Sequence, residues 1–129
     1  MLFRSSLFYN NSYEACISTV NLCFPQFKNS SVYYRALSYK CGALKRLEKY
    51  LEANLTATDL YLCSREGRIN AYYDFTLQNL DDIRLTAQFG SDNKTKCGLW
   101  HLYGVYGDPL EGMKNIYSID PSSELMILP

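Results

Sequence analysis

Cys97 and His101 are the residues whose types and spacing come nearest to chemistry in this chain. They stand at i and i+4, so on a helix they share a face. A thiol beside an imidazole can ligate a metal or form a nucleophile–base couple. Neither reading finds its remaining parts. Structural zinc takes four ligands, and spacing brings only these two together. His101 is the sole histidine, and neither a GxSxG elbow nor a GxxxxGK[ST] or GxGxxG phosphate cradle is present. The pair therefore reads as a buried Cys beside a half-exposed His. Cys41, next to Gly42, reads as a small packing residue. On these residues the chain is not an enzyme and needs no cofactor and no metal.

Five cysteines, Cys16, Cys23, Cys41, Cys63 and Cys97, form an odd and irregularly spaced set without a CxxC. A disulfide framework wants an even, denser set, so the thiols read as reduced and the protein as intracellular, nuclear or cytoplasmic. Sequons at Asn10, Asn29, Asn54 and Asn93 would matter only in a secreted chain. The start, Met1 to Phe8, lacks the apolar run of a signal peptide, and no stretch approaches the ~20 apolar residues of a membrane span. Thirteen basic residues balance thirteen acidic ones. A neutral chain has no global field for a phosphate backbone or an anionic membrane, so the expected partners are proteins, with no nucleic acid and no membrane.

The elements that must position these residues are helices. Tyr13, Cys16, Ile17, Val20, Cys23 and Phe24 make one apolar stripe, with Ser12 placed as its N-cap and Pro25 as its stop. A second pattern runs from Ser31 to Cys41, capped by Ser30 or Ser31 and broken at Gly42. A third runs from Ala43 to Asn54. Thr56 or Thr58 starts a short helix through Cys63, and Gly67 breaks it. Ile69, Tyr72, Tyr73, Thr76, Leu77 and Leu80 form the next stripe. Asp81 to Lys96 reads as a loop, opened by Asp81-Asp82. Leu99, Leu102, Tyr103 and Tyr106 resume the pattern as far as Gly107-Asp108-Pro109. Pro109 opens a helix that Asp120-Pro121 closes, and Ser122-Ser123-Glu124 starts another. No period-2 alternation or hairpin turn competes. Helices this short are marginal alone, so the 129 residues read as one all-α domain, an α-α superhelix of stacked antiparallel helical hairpins.

Tyr13-Glu14-Ala15-Cys16-Ile17, Tyr33 to Gly42 with its turn glycine, and Trp100-His101-Leu102-Tyr103-Gly104 closed by Ile119-Asp120-Pro121 resemble landmarks of the tetratricopeptide repeat. The breaks at Asn11, Gly42, Gly67 and Gly107 lie 31, 25 and 40 residues apart, against a period of ~34. The run from Tyr13 to Leu51 is similar to the N-terminal region of the cell-division-cycle type tetratricopeptide subunits of the anaphase-promoting complex. Gln88 to Tyr106 is similar to a later segment of the same subunits. The resemblance implies a non-enzymatic scaffold of a ubiquitin-ligase complex whose N-terminal repeats homodimerise. The apolar end, Leu125 to Pro129, reads as though a further helix follows, which would make the chain the N-terminal part of a longer protein.

Twelve tyrosines are many for 129 residues, and a tyrosine ring buries a large area with few rotors to freeze. Tyr33, Tyr34 and Tyr61 fall on first helices of the expected hairpins, either lining a concave face or lying beneath it. Leu2, Phe3, Leu7, Phe8 and Tyr9 are very apolar for a terminus; they pack on the first hairpin or insert into a partner's groove, and the resemblance favours the groove. Lys40, Lys45, Arg46 and Lys49 form a basic cluster that reads as a solvated face. The alternative function is a peptide-binding adaptor of the co-chaperone kind. Its carboxylate clamp does not map, since the first helices offer Arg35, Lys40 and Arg65 with Asn only near the turns.

Overall fold

The apolar stripe at Tyr13–Phe24 does build a helix, but a longer one than its caps predict. The computed structural model describes residues 2–23, 30–63 and 65–126, with the side chains of 2–11 and 23 excepted. Helix α1 spans Leu2–Cys23. Ser12 therefore lies inside a helix and caps nothing. Val20 is buried, and Tyr13, Cys16 and Ile17 are half-buried. Phe24 and Pro25 lie outside the described residues.

Helix α2 spans Ser31–Arg46. Ser30 is its N-cap, with extended backbone and an Oγ that accepts from the Tyr33 N–H. The expected break at Gly42 does not occur. Leu37, Cys41 and Leu44 recur at i, i+4 and i+7 across it and are all buried. Burying such side chains outweighs the ~1 kcal/mol that a helical glycine costs. The helix ends four residues later, at Arg46, and just beyond it the Glu48 N–H donates to the Lys45 carbonyl and the Lys49 N–H to that of Leu44. This is a Schellman arrangement, and its left-handed residue is Glu48, at φ 60°, where glycine is usual. A Cβ in that region costs about 1–2 kcal/mol.

Helix α3, Tyr50–Cys63, is the centre of the packing. It touches α2 and three later helices: α4 (Arg65–Asp74), α5 (Leu80–Gln88) and α6 (Asn93–Tyr106). Thr56 and Thr58, expected to start a helix, lie within this one. Their hydroxyls donate to the carbonyls of Glu52 and Asn54 one turn back, so both are satisfied without water. Ala53 and Ala57 present small surfaces that let neighbours approach, and Leu60 fills the core between them.

Gly67 lies buried inside α4, so it too breaks nothing. The stripe from Ile69 to Leu80 is instead cut at Asp74, after which residues 75–79 run without regular structure. The cause is Asn54, a fully buried side chain on α3. Its Nδ2 donates to the Thr76 carbonyl at 2.8 Å and to Gln78 Oε1 at 2.8 Å, while its Oδ1 accepts from the Thr76 N–H at 3.0 Å. The amide thus holds residue 76 from both sides, as a neighbouring strand would, and replaces the bonds a helix would have supplied.

The stretch from Asp81 to Lys96 is mostly helical, not a loop. Asn79 caps α5, and Asp81 and Asp82 fill its first turn, where carboxylates complement the helix dipole. Ile83, Thr86 and Ala87 turn inward. Only residues 89–92 remain between helices, ending at Asp92, the N-cap of α6. Helix α6 is buried from Cys97 to Gly104. Its Gly98 faces Thr58 and Leu62, and its Gly104 lies against Gly112 of α7, Pro109–Ile119. Helix α7 follows the sequence reading closely: Asp108 caps it, Pro109 opens it and Asp120 ends it. Ser122-Ser123-Glu124 leads into a single 3₁₀ turn, Glu124–Met126. The seven α-helices of the described residues pack together, and these residues contain no strand. None of the described helices is long and apolar enough to cross a membrane.

Candidate functional site

The thiols and the histidine come first. Cys97 and His101 share a face of α6, and both are buried against the chain that follows α7. His101 Nδ1 lies 3.4 Å from the Leu125 carbonyl, and its ring tilts over Tyr61 at 5.3 Å. Burial holds the imidazole below its ordinary pKa, Arg68 pushes the same way, and the Leu125 carbonyl opposes both. Burial raises the Cys97 thiol, Asp120 adds to this, and the Ser123 hydroxyl works against it. Cys41 has no exposed surface and points at the carbonyls of Ala53 and Asp74, at 3.3 and 3.5 Å. Burial pushes its pKa up to about 12, with a further rise from Asp74 and opposition from Lys45 and Lys40. Such a thiol carries almost no thiolate near neutral pH and is a poor nucleophile. Among the described residues no three potential ligands gather around a metal position.

The aromatics expected at a surface divide. Tyr61 is only 2% exposed and belongs to the core, which corrects its assignment to a binding face. Its ring meets Tyr72 edge-on at 5.9 Å, and the Arg68 guanidinium stands 5.1 Å from its centre. Burial and then Tyr72 push its hydroxyl up to about 12, against Arg68. The physical reason is the position of α3, which neighbours surround on most sides. Tyr33 and Tyr34 are half-buried on α2 and pack against the same core. Burial, then Cys63 and Asp59, raise the Tyr33 hydroxyl, which places it beside the end of α3. The side chains of Leu2, Phe3, Leu7, Phe8 and Tyr9 lie outside the described residues. Of the basic cluster, Arg46 turns to α1, where it donates to the Tyr13 hydroxyl at 3.1 Å.

A stronger aromatic surface was not foreseen. It forms where the end of α4, the irregular residues after it and the end of α6 meet. Phe75 stacks on Tyr106 with centroids 5.8 Å apart, and Tyr72 meets Tyr106 edge-on at 6.5 Å. The Tyr106 hydroxyl donates to the Tyr72 carbonyl. Leu77 lies over Gly107, so close that a Cβ there would sit 3.1 Å from its methyl group. Tyr73 is 82% exposed, Leu77 52% and Tyr106 44%. Leu110, in the first turn of α7, is 75% exposed. The run Ala71-Tyr72-Tyr73-Asp74-Phe75 held the signal, but a helical reading of it scattered these side chains around a helix that ends at Asp74.

Two concavities accompany this surface. One, of about 460 Å³, lies between α4, α6 and the last turn and is lined by Arg68, Lys94, Asp120 and Glu124 above Cys97. The other, of about 630 Å³, is more apolar and lies between the start of α3 and Phe89. No family model matches the chain, and no curated protein or solved structure matches it either.

Proposed function

We propose that this protein is a non-enzymatic, protein-binding helical scaffold that pairs with a second copy of itself. The observation that carries this reading is the aromatic surface of Tyr73, Leu77 and Tyr106. Large exposed apolar side chains that adjoin one another mark contact surfaces, and tyrosines are favoured anchors there. The buried thiols and the histidine, engaged with carbonyls and hydroxyls of the chain itself, support the absence of catalysis. An intracellular location belongs to the same proposal and rests on the odd number and irregular spacing of the cysteines.

The finer assignment is also part of the proposal: a tetratricopeptide-like stack of hairpins, of the kind found in anaphase-promoting-complex subunits. Sequential packing of α1 on α2, α2 on α3, α3 on α4 and α6 on α7 supports it. So does the close approach of Gly104 to Gly112 beside the buried Trp100. Against the repeat pattern, Gly42 is helical and α3 also touches α5 and α6.

Size-exclusion chromatography with light scattering tests the reading. The wild type is expected to run as a dimer at tens of micromolar, and the double variant Tyr73→Ser, Leu77→Ser as a folded monomer. A folded wild-type monomer at that concentration removes the self-pairing reading.

A further inference from the structure

We propose that the groove between the start of α3 and the end of α5 receives an amphipathic helix carrying lysine or arginine beside its apolar stripe. Leu51 and Leu55, one helical turn apart on α3, form its floor, with Phe89 across from them and Tyr50 at one end. Its volume is about 630 Å³. Phe89 is 64% exposed although it stands at the edge of this apolar floor. A guest helix offers apolar anchors one turn apart, the spacing of Leu51 and Leu55.

Charge selects the guest. The groove is edged by the carboxylates of Glu48 and Glu52, with Lys49 as the opposing cation. A partner with basic flanks meets these carboxylates, and one with acidic flanks is repelled by them.

The backbone supplies an independent argument. Glu48 is the one residue other than glycine with positive φ among the described residues. It occupies the position where a glycine would end α2 without strain. Two backbone bonds, from Glu48 to Lys45 and from Lys49 to Leu44, fix that turn. They carry the carboxylate to the edge of the groove at the expense of local stability. Strain held in this way gathers at positions that contact ligands. The groove lies on different residues from the aromatic surface around Tyr106, so the two proposals fail separately.

The probe is a fluorescein-labelled, 14-residue synthetic helix with leucines one turn apart and lysines flanking them, followed by fluorescence anisotropy. Its counterpart has glutamates in place of the lysines. The lysine peptide is expected to saturate and the glutamate peptide not to bind. Glu48→Gly alone is expected to weaken binding about threefold while raising the urea midpoint, and Glu48→Gly with Glu52→Gln to weaken binding about tenfold. That pairing of tighter folding with weaker binding is one a merely structural Glu48 would not give. Phe89→Ser is expected to weaken binding at least as much. Failure to saturate, equal binding of the two peptides, or unchanged affinity in the double carboxylate variant would overturn the proposal. So would a dimer that Phe89→Ser dissolves while no peptide binds, because the groove would then belong to a second copy.

Discussion

Two glycine-to-alanine substitutions, identical on paper, are expected to move stability in opposite directions. At Gly112 an added Cβ would lie 2.8 Å from the Trp100 carbonyl oxygen, 3.0 Å from Gly104 Cα and 3.3 Å from Gly104 N. All three are backbone atoms of α6, so no side chain can swing aside, and α7 has to slide outward. Overpacking of this kind costs about 1–3 kcal/mol. Alanine returns up to about 1 kcal/mol through its better helix propensity. The net expectation for Gly112→Ala is about 1–2 kcal/mol of destabilisation. At Gly42, also helical, a Cβ meets nothing within 4 Å. Only the propensity term remains, and Gly42→Ala is expected to stabilise by about 0.5–1 kcal/mol. Urea unfolding followed by far-ultraviolet circular dichroism reads both. With a slope of about 1–3 kcal/mol per molar, Gly112→Ala lowers the midpoint by about 1 M, and Gly42→Ala raises it by a few tenths of a molar. A Gly112→Ala midpoint at or above the wild type refutes the close crossing of α6 and α7. A Gly42→Ala midpoint well below it refutes the continuous α2 and restores a turn at Gly42.

Asn54→Ala removes both ends of the clamp on residue 76 and leaves the Thr76 N–H and carbonyl unsatisfied, so it is expected to cost about 2–4 kcal/mol, read as a lowered thermal midpoint. His101 titrates below its ordinary value near 6.5 when folded, so the unfolded chain binds more protons between the two values. Its contribution is present above pH 6.5 and is lost as pH falls through the folded value; His101→Asn is expected to flatten the stability–pH profile there, and an unchanged profile would show that the ring is not buried. Burial raises Asp74 as well, which has the opposite sign, stability being gained as pH falls through its folded value, so the difference between wild type and His101→Asn is the quantity to plot. In labelling with Ellman's reagent, Cys41 and Cys97 are expected to react only on unfolding and the half-buried Cys16 and Cys63 sooner; a fast Cys97 would revive the catalytic alternative.

Where local chemistry decides, the sequence was legible. Asp108-Pro109 and Asp120-Pro121 bracket α7 because caps and proline act on their own few residues. Gly42 and Gly67 misled for the opposite reason: tertiary burial at Cys41, Leu44 and Ala71 overrode their weak local preference. Glu48 could not have been found, since nothing in its side chain asks for a left-handed backbone. The break after Asp74 depends on Asn54, twenty residues earlier, and no window of helical periodicity contains both. For the surface, composition pointed to tyrosine but not to which tyrosine. Tyr61 went inside because α3 is enclosed, and Tyr73 stayed outside because α4 ends one residue later.

The clamp on residue 76 also bears on carbohydrate attachment. Asn54-Leu55-Thr56 satisfies the acceptor pattern, yet the nitrogen a sugar would occupy is the one bonded to Thr76 and Gln78. An oligosaccharide there would exclude residues 75–79 from α3, so glycan and native fold compete for a single atom.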